Sequence, residues 1–123
     1  MITIVNLTQH TSTTEQNCVD LTGEDRRMLL AALTFETLPR FTEIQERAAA
    51  IASLAADTHH DNAMIGGAPF LMATLERELR ARGITPMYAF SVRESAEQVQ
   101  PDGSTRKVAV FRHAGFVPVT SEI

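Results

Sequence analysis

The stretch from Ala63 to Val92 constrains the fold most strongly. Ala63-Met64-Ile65 is a short apolar strand that stops at Gly66-Gly67. Pro69 follows in the predicted first turn of a helix, where its missing amide hydrogen costs nothing. Leu71, Leu75 and Leu79, with Met72, give this helix one apolar face, and Gly83 supplies a left-handed cap that ends it. Ile84 to Val92 then reads as a second strand. Strand, helix and strand in that order build a parallel pair joined by a right-handed crossover.

The rest of the chain extends this unit. Ile2 to Leu7 has the pattern of a buried strand, and Thr8 to Thr14 is a polar segment whose side chains compete for the backbone and end it. Thr22, with an acid three residues on at Asp25, predicts a capped helix carrying Met28, Leu29, Ala32 and Leu33, closed by Pro39. Thr42 and Gln45 predict a second start, and Ile44, Ala48, Ile51 and Ala55 carry that helix to about Asp57. Thr58 to Asn62 is a loop. The end of the chain reads as an antiparallel hairpin around Pro101-Asp102-Gly103-Ser104. A two-residue Asp-Gly loop would set Arg93 opposite Arg112 and Val92 opposite His113. The expectation is an α/β domain with parallel core strands, an antiparallel C-terminal hairpin and helices on both faces, a three-layer arrangement. At 123 residues the chain fits one domain that buries about two thirds of its unfolded surface.

Charge and composition exclude several roles. A formal charge of −4 argues against a footprint on duplex DNA. No apolar run reaches the roughly 20 residues that span a bilayer, and Met1 to Leu7 is too short and too poor in bases for a secretory signal. The expectation is a soluble cytoplasmic protein with no membrane partner. Cys18 is the only cysteine, so neither a disulfide framework nor a thiol zinc cluster is available. Residues 62–123 hold six acids against seven bases, six of them Arg, and are the better home for a small anion.

In a parallel sheet, ligands bind beyond the carboxyl ends of the strands. Asn6, Thr8, Gln9, His10 and Thr11 follow the first strand, Gly66 and Gly67 the second, and Ser91, Arg93 and Glu94 the third. Gly66-Gly67 before a helix fits a phosphate cradle, and equally a tight turn that needs small residues. His10 suits proton transfer, or a hydrogen-bonded strand end. Arg93 facing Arg112 would be a phosphate clamp, unless both meet solvent and Glu94 screens them. His59, His60 and Asp61 read as a solvated loop rather than a metal site, Cys18 as an inert thiol, and Tyr88 and Phe90 as core packing. No Gly-x-Ser-x-Gly turn marks a serine hydrolase. No metal and no cofactor is expected.

The opener Val5-Asn6-Leu7-Thr8-Gln9-His10-Thr11-Ser12-Thr13-Thr14-Glu15-Gln16, the turn Gly66-Gly67-Ala68-Pro69 and the strand Thr85-Pro86-Met87-Tyr88-Ala89-Phe90 resemble those of small CRISPR-associated ring nucleases. The resemblance covers about half of the chain. It implies a Rossmann-like homodimer that binds cyclic oligoadenylate across its twofold axis and cleaves it without metal. In that reading His10 and Arg93 are catalytic, and Asn6, Thr8, Gln9, Thr11, Gly66, Gly67, Ser91 and Arg112 hold the ligand. A non-catalytic sensor or sponge uses the same binding residues without proton transfer. A purely structural protein would instead present the arginines to an acidic partner.

Overall fold

A computed structural model describes residues 3–120 of the chain. The elements run β1 (Ile4–Asn6), β2 (Val19–Asp20), α1 (Gly23–Leu33), α2 (Phe41–Asp57), β3 (Asn62–Met64), α3 (Pro69–Ala81), β4 (Thr85–Val99) and β5 (Thr105–Pro118). They form a mixed sheet in the order β2-β1-β3-β4-β5, parallel except for the antiparallel β4–β5 pair. This is the Rossmann-like α/β class that the sequence predicts. Ile2, the expected first residue of β1, lies outside the described residues. β2 is not announced by the sequence pattern: it has two residues and pairs with β1 through Val5–Val19 and Asn6–Asp20.

Val5, Leu7, Ala63 and Ile65 turn toward the helices and join residues of α1, α2 and α3 in one core cluster. Leu71, Leu75 and Leu79 are fully buried in it. Each such side chain contributes about 1.5–3 kcal/mol of burial. α2 packs against both α1 and α3. The connections from β2 to β3 and from β3 to β4 advance in the same direction across the sheet, so right-handed crossovers set their helices on one face, which corrects the expected three layers with helices on both faces. The β1–β2 step runs the other way and carries no helix. The segment after β1 stands in for one, folding over fully buried Asn6, whose side chain alternates to the face opposite Val5.

Helix ends depart from expectation in detail. Thr22 and Arg40 occupy the N-cap positions of α1 and α2, and neither makes a side-chain cap hydrogen bond. α1 stops at Leu33, well before Pro39, and Met28 is half exposed rather than part of its buried stripe. Arg47 holds that end instead: its guanidinium donates to the carbonyls of Ala31 and Thr34 and lies 4.2 Å from the Phe35 ring centre. α3 ends as predicted. Gly83, at φ +74°, donates to Arg80 O and Ile84 donates to Leu79 O, the two bonds of a Schellman motif.

The hairpin corrects the expected register. Gly103 donates to Gln100 O and Gln100 donates to Ser104 O, so the loop is Pro101-Asp102-Gly103, with only Gly103 at positive φ. Proline suits the first central position of a type I turn and cannot start the two-residue mirror-image turn. The extra loop residue moves Arg93 opposite Phe111, Val92 opposite Arg112 and Ser91 opposite His113. Arg93 and Arg112 therefore lie on opposite faces of the ribbon, and there is no clamp. A bulge at Ala114 then restores the expected register from Phe90–Gly115 to Met87–Pro118.

Candidate functional site

Asn6 organises the loop that leaves β1. Its Oδ1 accepts from the Thr8 amide at 2.9 Å and the Thr8 hydroxyl at 2.7 Å. Its Nδ2 donates to His10 O at 2.6 Å and to Asp20 Oδ1 at 2.8 Å. Both donors and both acceptor sites of the amide are engaged. Asp20 also accepts from the Ser12 amide at 3.1 Å. Burial works against the ionised Asp20, but the Asn6 and Ser12 hydrogen bonds and nearby Arg26 outweigh it and hold the carboxyl below its ordinary range. Arg26 reaches across from α1 to donate to Gln9 O at 3.1 Å. The two-residue strand β2 thus exists to place Asp20, and Asp20, Asn6 and Arg26 together fix a loop presenting Thr8 to Thr11.

The second strand end supplies a glycine turn. Gly67 sits at φ +147°, where a side chain would be strained even though the nearest atom to an added Cβ, Met72 Cε, is 3.6 Å away. Pro69 opens α3, and Ala68 at its N-cap makes no side-chain bond. The N-terminus of α3, the positive end of its dipole, lies at the carboxyl end of the sheet.

Between these parts lies a cleft of about 450 Å³. Thr8, Gln9, His10 and Thr11 form one wall, and Gly66 and Gly67 the base. The cleft sits where strand order reverses between β1 and β3, the expected ligand position in such a sheet. Six of the residues predicted for a site meet here. Asn6 lies beneath the cleft as its support and does not line it, while Ser91, Arg93 and Arg112 stand away from it on the hairpin. Arg112 lies 3.9 Å from both Glu15 and Glu94, which matches the screened alternative.

Sequence reasoning misses Thr13, Gln16 and Tyr88 as lining residues, and Asp20 and Arg26 as supports. Tyr88 packs against the core, and its hydroxyl donates to Glu76 at 2.6 Å. Burial, then that carboxylate, raises its pKa far above that of the usual phenol, so it stays protonated. Phe90, expected in the core, is 53% exposed. Burial and the Asp20 charge push the Cys18 thiol up, away from thiolate chemistry. His60 Nδ1 lies 2.8 Å from the Thr58 hydroxyl. Among the described residues no group of three His, Cys, Asp or Glu side chains could hold a metal ion, and no helix is long and apolar enough to cross a membrane.

Fold and cleft together define a Rossmann-like α/β protein with an open crevice at its switch point. The chain belongs to the uncharacterized protein MJ1673 family, whose model matches residues 2–117. No curated protein matches it, and no solved structure does.

Proposed function

We propose that the switch-point cleft binds a cyclic oligoadenylate and that the protein cleaves it without metal, switching off nucleotide-signalled antiviral defence in the cytoplasm. The supporting observation is the meeting of a hydroxyl- and amide-rich loop, a histidine and a glycine turn in one cleft. The Gly66 and Gly67 amides and the start of α3 would receive phosphate. Thr8, Gln9 and Thr11 would hold ribose and non-bridging oxygens. A ribose 2′-hydroxyl would attack the adjacent phosphorus, forming the 2′,3′-cyclic phosphate as the bond to the 5′-oxygen breaks. His10 would take the hydroxyl proton or return one to the leaving oxygen. The resemblance to ring nucleases adds a homodimer with the ligand across its twofold axis.

One observation favours the second reading, a sponge or sensor that binds without cleaving. Among the described residues no Lys or Arg lines the cleft, so developing charge would rest on amides and hydroxyls unless a second copy contributes Arg93. Incubation of the protein with cyclic tri-, tetra- and hexa-adenylates in EDTA separates the readings by chromatography and thermal shift. Linear products, with cleavage lowered about 10²–10⁴-fold by His10→Ala, support the nuclease. A thermal shift without products selects the sponge, and neither signal removes both.

A further inference from the structure

A second crevice of about 400 Å³ lies on the hairpin side, where Ser91, Phe111 and His113 face the segment from Thr13 to Gln16. The two cavities share Thr13 and Gln16, so they meet along that segment. The bulge at Ala114 builds the hairpin wall. On the tip side of it, Ser91 pairs with His113 and Arg93 with Phe111 on one face. On the base side, Ala89 pairs with Phe116 on that same face. Residues three apart in a regular strand fall on opposite faces. The extra residue brings His113 and Phe116 together instead, with ring centroids 4.7 Å apart. Bulges re-aim side chains in this way beside functional sites.

The re-aimed histidine is anchored through its backbone, since Glu15 Oε2 accepts the His113 amide at 3.2 Å and ties the hairpin to the β1–β2 segment. Among the described residues its ring Nδ1 is buried and has no hydrogen-bond partner, so the imidazole meets the crevice through its other ring atoms. The surrounding groups suit a neutral ring better than an anion. Hydroxyls of Thr13, Thr14 and Ser91 and the Gln16 amide offer both donors and acceptors, whereas the Glu15 carboxylate repels phosphate and accepts from an amino group. The Phe111 ring is 72% exposed at the edge of the crevice, a free face for stacking.

We propose that this crevice is a nucleoside subsite. It takes the adenine-type base of the unit adjoining the one whose phosphate lies at Gly66-Gly67, with Phe111 stacking on the ring and the His113 imidazole forming part of the wall against base or ribose. The inference rests on the nucleotide reading of the main cleft.

The test titrates the isotope-labelled full chain with adenosine 5′-monophosphate and with the dinucleotide ApA, following amide and imidazole resonances. The monophosphate is expected to move the Thr8, Gly66 and Gly67 amides. ApA is expected to move these together with Ser91 and the His113 ring, and to bind about tenfold more tightly. Phe111→Ala should abolish that advantage while keeping the affinity for the monophosphate, and His113→Gln should reduce it independently. Equal affinities with a silent His113 ring, while the Thr8 and Gly66 amides respond, overturn the subsite and spare the main cleft. Silence at Thr8 and Gly66 with both ligands overturns the nucleotide reading and the subsite with it.

Discussion

Along α3, Leu71, Leu75 and Leu79 are wholly buried, whereas along β4 every residue from Ala89 to Ser95 is exposed. The helical half is held by apolar surface removed from water. The outer hairpin is held by its own ladder and cross-strand pairs, and a two-stranded ribbon is marginal by itself. Side chains in the first region answer to packing. Those in the second do not, which is why Phe111 can stand bare at the edge of the second crevice.

Substitutions should separate the two regions by size of effect. Leu75→Ala opens a cavity in the shared core and is expected to cost about 2–5 kcal/mol in urea unfolding; a loss below 1 kcal/mol would show that α3 is not what holds the sheet. Asn6→Ala removes four hydrogen bonds and strands the buried side of Asp20, for an expected loss of about 1–3 kcal/mol. It should also weaken ligand binding although Asn6 does not line the cleft.

The Asp20 carboxyl sharpens the comparison through pH. Its folded-state value lies below its unfolded one, so the unfolded chain binds the extra proton first. That contribution is complete above about pH 4 and is lost as pH falls through the lower folded value. Melting temperature followed downward from about pH 5 should therefore fall more steeply for the parent than for Asp20→Asn. The smallest effect belongs to the hairpin. Phe111→Ala should change stability by no more than about 0.5 kcal/mol, and a larger loss would mean the ribbon packs against something in the folded protein.

The helices and parallel strands are legible because each has a clean apolar period and the glycines stand at real turns, as at Gly67 and Gly83. β2 is not legible because two residues carry no period; its place depends on the Asn6–Asp20 bond, which joins residues 14 apart. The hairpin register fails by one because Pro101 selects a three-residue loop. Thr8 to Thr11 and Gly66-Gly67 could be read as a site because polar groups abruptly follow apolar strands. Arg26 on Gln9 and Glu15 on His113 could not, since separations of 17 and 98 residues leave no local trace.

The residue inserted at Ala114 also acts as a phase correction. It lets the turn run in one frame while the strand ends beside β3 keep another. The one extra residue of the Pro101-Asp102-Gly103 loop is thereby absorbed without turning Met87, Ala89 or Phe116 inside out. The hairpin tip is thus mounted out of phase with the sheet beneath it, which keeps its own alignment.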